Sequence, residues 1–168
     1  MVNIRTVTPG DYDAVWAIFH DVVASGATYA YPSDIQRDEA LHQWAETPEA
    51  CYVAEKNGRV LGTYYIKPNQ PGRGAHVCNA GYMVASEARG QGIGHALCTH
   101  SLNEARRRGY HAMQYNLVVE TNRGAIRLWK KMGFNIIGTL PNAFNHAEKG
   151  LVDAHVMYKL LEEKRPHS

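Results

Sequence analysis

The sequence is poor in the features that mark metal sites, disulfide scaffolds and membrane spans. It has three cysteines in 168 residues, Cys51, Cys78 and Cys98. None forms a CxxC pair or a Cys/His ligand spacing. Each stands alone inside an apolar pattern and reads as a small core residue in a reducing compartment. Nine histidines are scattered without an HExxH pair, so no metal is expected. No stretch approaches the roughly 18 apolar residues of a membrane span. The opening MVNIRTVTPGDYDA has no apolar signal core, so a cytoplasmic protein without membrane association is expected. Charge of either sign is nearly balanced. Eighteen Lys and Arg against sixteen Asp and Glu leave +2, too little to imply a nucleic-acid partner. The one basic run, Arg106-Arg107-Arg108, closes a predicted helix, where the helix dipole favours cations.

What is present is an alternation of short strands and helices. Asn3 to Thr8 alternates as a strand. Pro9-Gly10-Asp11 then opens a helix with Val15, Trp16, Ile18, Phe19, Val22 and Val23 on its apolar face. After the polar-aromatic loop Ser25 to Ser33, a second helix is predicted near Ile35 to Glu46. Ala50 to Glu55 and Arg59 to Lys67 flank an Asn57-Gly58 hairpin turn. A third strand, Ala75 to Ala85, folds back after Pro68 to Gly74. A helix to about Arg108 follows, then a strand from Tyr110 to Glu120 and a short helix from Asn122 to Met132. The last strands run from Asn135 to Leu140 and from Asp153 to Leu160. No linker or repeat divides the chain. The expectation is one α/β (α+β) domain over 1–162, with a mixed, mostly antiparallel sheet and a tail at 163–168.

The glycine run after the third strand carries the chemistry. Arg89-Gly90-Gln91-Gly92-Ile93-Gly94 places three glycines at alternate positions between a strand and a helix. Unpaired amides at a helix N-terminus, with the positive end of its dipole, make an anion site. Glycine removes side chains that would hold a phosphate away, and Arg89 adds a charge-assisted hydrogen bond. A Walker A loop is excluded because His95 stands where Lys is required. A Rossmann fingerprint fits poorly, because the spacing is GxGxG, in mid-chain, after antiparallel strands. The pattern Arg/Gln-x-x-Gly-x-Gly/Ala is matched at every specified position.

That pattern resembles the pyrophosphate loop of the GNAT N-acetyltransferase superfamily. Asn122-Arg123-Gly124-Ala125-Ile126-Arg127-Leu128-Trp129-Lys130-Lys131-Met132-Gly133-Phe134 is similar to its second signature, and IRTVTPGDYDAV to its first strand. The resemblance implies a splayed sheet with acetyl-CoA wedged between the strand ending near Ala85 and the one starting near Tyr110. It implies that the pantetheine arm pairs with backbone at Met83 and Val84, and that the pyrophosphate sits on Arg89, Gly90, Gln91, Gly92, Ile93 and Gly94. Asn122 is implied to touch the cofactor, and a homodimer through the C-terminal strands is implied as well.

Acetyl transfer needs a deprotonated amine and a donor for the developing oxyanion, for which the Val84 N–H is the candidate. Two residues common in the superfamily are missing. His76 to Ala85 contains no acid, and Trp129 stands where a tyrosine often protonates the leaving thiolate. Asn79 and Asn116 stand instead on the strands that border the predicted cleft, although asparagine is disfavoured in strands. Each either satisfies a local backbone group or hydrogen-bonds the acceptor. HVCNAGYMV, NLVVETN and IRLWKKMGF together resemble the fungal N-acetyltransferases of proline analogues such as azetidine-2-carboxylate. That likeness implies substrate-binding roles for Asn79 and Asn116. GATYAYPSD is similar to the substrate loop of phosphinothricin acetyltransferases. Tyr29 is the first choice among the tyrosines to line the acceptor pocket or protonate the thiolate, while His76 and Glu120 are possible bases. The sequence therefore points to an acetyl-CoA-dependent enzyme acting on a small amine, an amino or imino acid. A non-catalytic acetyl-CoA-binding module and an acetyltransferase for protein N-termini or lysines are the alternatives.

Overall fold

A computed structural model describes residues 1–161; the tail set at 163–168 lies outside the described residues. The strands are β1 (Asn3–Thr6), β2 (Ala50–Lys56), β3 (Arg59–Pro68), β4 (Val77–Val84), β5 (Ala112–Val119), β6 (Asn135–His146) and β7 (Gly150–Leu160). The helices are α1 (Tyr12–Ser25), α2 (Arg37–Leu41), α3 (Ile93–Arg107) and α4 (Arg123–Lys131). The described residues form one seven-stranded sheet in the order β1-β2-β3-β4-β5-β7-β6, the mixed, largely antiparallel sheet that the strand and turn pattern implied.

Alternation along the strands sends side chains to two helical layers. On β3, Gly62 faces α3, where an added Cβ would stand 2.8 Å from Ile93 Cγ2. Its neighbour Thr63 faces the opposite layer and accepts a hydrogen bond from the Trp44 indole at 3.1 Å. Trp44 is wholly buried. It lies in a wide turn, His42–Glu46, that replaces the last turns of the predicted helix; α2 itself ends at Leu41. Phe19 and Tyr65 pack edge-on to Trp44.

β4 and β5 decide the shape. They run parallel and pair only at Val77↔Ala112 and Cys78↔Met113. Beyond that they part. On the far side of β5, the register with β7 shifts between Tyr115 and Val118, which places Asn116 in a bulge. The wedge between β4 and β5 is the opening of the fold.

The C-terminal hairpin is longer than the sequence reading. β6 runs through to His146 and β7 starts at Gly150, whereas the sequence pattern ends the one at Leu140 and begins the other at Asp153. β6 is the edge strand, so a proline there breaks no ladder bond. Asn142 takes a positive φ of 51°, and its N–H bonds Asp153 Oδ1 at 3.0 Å. The register shifts between Leu140 and Phe144, so the turn residues form a bulge and the pairing resumes beyond it.

Two predictions follow from this packing. Gly81 lies under Tyr65, where an added Cβ would stand 2.3 Å from Cε2. The Tyr65 ring is held by Trp44 and by its hydroxyl bond to Asn79. Gly81→Ala is therefore expected to cost about 1–3 kcal/mol, read by denaturant unfolding. At the sheet's other end, Arg5 forks onto Asp11 through bonds of 2.7 and 2.9 Å, and the Thr8 N–H adds a third at 2.8 Å. The Arg5 bonds hold the Asp11 carboxyl at about 2 against an ordinary 3.8. A carboxyl depressed in the folded state stabilises above its unfolded pKa and loses that contribution as pH falls through about 4 to about 2. The contribution is on the order of 2 kcal/mol. Asp11→Asn should flatten the fall of melting temperature in that window, leaving the part due to Glu104, which is likewise held at about 2, chiefly by Arg107.

Candidate active site

The opening between β4 and β5 is a continuous cleft of about 1090 Å³. One end is the glycine loop. The amides of Arg89 and Gln91 fold back onto Ser86 O and Ala88 O at 3.4 and 3.3 Å, which shapes the loop. The first bond of α3 is Ala96 N–H to Gly92 O at 3.0 Å, so the amides of the first turn have no partner within the helix. Gly90 and Gly92 adopt φ of 78° and 77°, a region costly for any residue with a Cβ. Nothing lies within 4 Å of where that Cβ would be. Conformation therefore demands glycine at both, and the space beside them is open. Gly94 differs: it has no positive φ, and a Cβ there would meet Leu128 Cδ2 at 3.4 Å, an ordinary contact, so neither conformation nor crowding by the protein demands glycine at this position. Gln91 does not line the cleft; its amide nitrogen turns back to Glu87 O at 3.4 Å. Ile93 is buried against Gly62. Arg89 is exposed on the cleft wall. Asn122 caps α4, its Oδ1 accepting the Ala125 N–H at 3.4 Å.

The middle of the cleft is the free edge of β4. The Ala85 N–H bonds Leu61 O on the β3 side at 2.8 Å. Peptide groups of an antiparallel strand alternate in direction, so Met83 turns its own to Thr63 on β3. Tyr82 and Val84 turn theirs to the opening. Of the two residues expected to offer backbone to the cofactor, Val84 presents it and Met83 contributes cleft wall only. The Tyr82 peptide is already engaged. The Tyr29 hydroxyl accepts the Tyr82 N–H and donates to the Tyr82 carbonyl, both at 2.7 Å. Burial pushes the Tyr29 hydroxyl well above the usual phenol range.

On the α3–α4 face, Tyr115 donates to Tyr82 at 3.0 Å, Tyr82 lies 2.6 Å from Ser101 Oγ, and Ser101 donates to Cys98 O at 2.7 Å. Trp129 covers both tyrosine rings at about 5 Å between centroids. This chain of hydroxyls ends on a carbonyl, so its protons are all committed inside the wall.

On the α1–α2 face the two asparagines meet the cleft from opposite strands. Asn79 is buried. Its Oδ1 accepts the Tyr65 hydroxyl at 2.9 Å and its Nδ2 donates to Gln114 O at 3.0 Å, bridging the parted strands. Asn116 is exposed; its Nδ2 donates to Asn69 Oδ1 at 2.7 Å and its Oδ1 accepts from Gln114 at 3.0 Å. Each amide keeps one lone pair and one N–H beyond these bonds. His76 and Glu120 lie off the cleft. His76 stacks edge-on with His111 at the closed end, and Glu120 is exposed with its N–H on Asp153 O.

Two wall residues escaped the sequence reading. His146 ends β6 and Lys149 lies in the turn to β7, both between Leu140 and Asp153, where the sequence pattern assigns no strand. Among the described residues, the lining contains no Asp or Glu, and Arg89 and Lys149 are its only Lys or Arg.

The comparisons agree with this geometry. Residues 16–134 match the model of the acetyltransferase (GNAT) family. The chain is 41% identical over 98 residues to the N-acetyltransferase aca1 of Schizosaccharomyces pombe, covering 58% of this chain and 47% of that protein. It thus spans about half the length of that relative. A GCN5-related N-acetyltransferase from Kribbella flavida superposes with a TM-score of 0.90 at 41% identity, covering 95% and 97% of the two chains. The putative acetyltransferase yncA of Salmonella typhimurium, solved with its cofactor acetyl-CoA, shares the fold with a TM-score of 0.82 at 23% identity, covering 100% and 98%. Glycine loop, parted strands and sequence relatives together place this chain in the GNAT acetyltransferase family, whose cosubstrate is acetyl-CoA.

Proposed function

We propose that the protein transfers the acetyl group of acetyl-CoA directly to the nitrogen of a small amine, a free amino or imino acid, within a ternary complex. The observation that carries this reading is a single cleft that runs from the open amides of the glycine loop, past the free edge of β4, to a polar pocket at Asn79 and Asn116. The diphosphate fits the first end, with Arg89, Gly90, Gly92 and the opening turn of α3 as its donors. Gln91 serves the loop's shape. The Val84 N–H, turned to the opening, is the donor for the thioester oxygen, and a fixed backbone dipole suits charge that develops there. Asn122 holds the start of α4 beside the pantetheine arm.

On the acceptor side, Asn79 and Asn116 offer the amine a carbonyl oxygen and an N–H each. Neither is a base, so the proton leaves through water. Holding amine and thioester in one cleft supplies much of the rate. Tyr29 holds the Tyr82 peptide at the free edge of β4, and in this reading it protonates the leaving thiolate only once its O–H has left the Tyr82 carbonyl. The cleft without a carboxylate also favours a second reading, a module that binds acetyl-CoA without turning it over. Acetyl-CoA binding with no thiol release across a broad panel of amino acids, imino acids and N-terminal peptides would select that one. Release with peptides alone would select an acetyltransferase for protein N-termini.

A homodimer through the C-terminal strands belongs to the same proposal. β6 is an edge strand, and Ile137, Leu140 and Leu151 are exposed on the hairpin. Light scattering coupled to size exclusion should give twice the chain mass, and Ile137→Lys should halve it. For the cofactor end, Gly92→Glu combines a strained φ with a carboxylate against the phosphates. Calorimetry should show acetyl-CoA affinity falling at least about a hundredfold. Asn79→Ala should keep acetyl-CoA affinity within about threefold and lower kcat by about ten- to a hundredfold, with unfolding followed in parallel because its bridge to Gln114 is lost.

A further inference from the structure

We infer that the β6–β7 turn is a carboxylate subsite, in which the Lys149 ammonium and the His146 Nε2–H hold the acid group of the acceptor. The inference rests on the reading of this cleft as the acceptor site and adds the residues that select among small amines.

The turn is docked. The Ala147 N–H bonds Gly26 O at 3.0 Å. Gly26 sits at φ 63°, and a Cβ there would stand 2.5 Å from Ala147 Cβ. This contact pins the hairpin tip to the end of α1, where the aromatic loop 27–32 begins. His146 and the exposed Lys149 thereby come to line the same cleft as Thr28, Tyr29 and Tyr31.

His146 is 8% exposed, and its ring is oriented by the turn itself. Nδ1 accepts the N–H groups of Glu148 and Lys149 at 3.1 and 3.2 Å. Two donors on one nitrogen require a lone pair there, so the neutral ring carries its proton on Nε2. Every fully buried side-chain nitrogen or oxygen in the described residues has a partner, and Nε2 has none among the described residues, so Nε2 is accessible on a residue that lines the cleft. Lys149 forms no ion pair among the described residues and faces a lining without Asp or Glu. A fixed N–H donor and an uncompensated ammonium on one short turn are the recognition elements for a carboxylate.

The same charge acts on the amine. An acceptor seated with its carboxylate at Lys149 brings its ammonium into a cleft that offers no counter-anion. A positive neighbour disfavours the protonated form, so proton loss is eased without a basic side chain. Cationic acceptors lacking an acid group keep the asparagine carbonyls but gain nothing from Lys149 and are repelled by its charge.

The test uses equilibrium binding, which reads the subsite apart from turnover. Azetidine-2-carboxylate and azetidine, and proline and pyrrolidine, are titrated into the protein saturated with CoA and followed by ligand-observed NMR. The acids should bind about tenfold or more tightly than their decarboxylated partners. Lys149→Ala should remove most of that difference, Lys149→Glu should reverse it, and Lys149→Arg should retain it, with CoA affinity and melting temperature unchanged. His146→Gln should weaken the acids alone. Equal binding of acid and amine by the wild type, a preference that survives Lys149→Ala, or no binding of either member, each overturns the subsite. Turnover is scored separately: selective acid binding with no thiol release would leave the subsite standing and remove the acetyltransferase reading.

Discussion

The structure is governed by the parting of two parallel strands. β4 and β5 share a ladder for two residue pairs and then separate. A buried peptide that loses its ladder partner must find another or meet solvent or ligand. Each response in the wall of the cleft answers that demand. Asn79 reaches across to the Gln114 carbonyl, the Tyr29 hydroxyl takes up the Tyr82 peptide, and the Val84 peptide is left to the opening. The glycine loop can face the same opening only because β4 ends where the strands have moved apart.

The cleft is electrostatically one-sided. Arg89 and Lys149 both line it, among tyrosines, asparagines and peptide groups. Such a surface suits negatively charged groups. Among the described residues its lining offers a cation no carboxylate. The tyrosine hydroxyls that look catalytic by type are of two kinds. Those of Tyr82 and Tyr115 are locked into a chain ending at Cys98 O, while that of Tyr29 is carried on a loop between helices.

Local signals made much of this legible. The glycine turn between β4 and α3, the Asn57-Gly58 turn and the helix faces are present as read because their causes are local: positive φ, hairpin chemistry and apolar periodicity. The family resemblance is upheld by the family match, and the splay it implied is present. What stayed hidden depended on distant partners. Asn79 and Asn116 were recognised as unusual, but that Gln114 and Asn69 engage them could not be read from spacing. That β6 continues past Leu140 through Pro141 and Asn142 is a property of the assembled sheet, where they lie on an edge strand. His146 and Lys149 were missed with them, since the cleft wall they form exists only once the hairpin reaches Gly26.

The Tyr29 bond has one more implication. A single phenol oxygen is joined to both polar groups of one residue on the edge where a strand-like ligand would lie. A guest that needs only Val84 leaves that oxygen in place, and the helix-joining segment with it. A guest that extends two residues deeper must first evict the phenol, and the floor of the neighbouring compartment shifts as it goes. The edge of β4 and the segment that joins α1 to α2 are thus tied together at one atom.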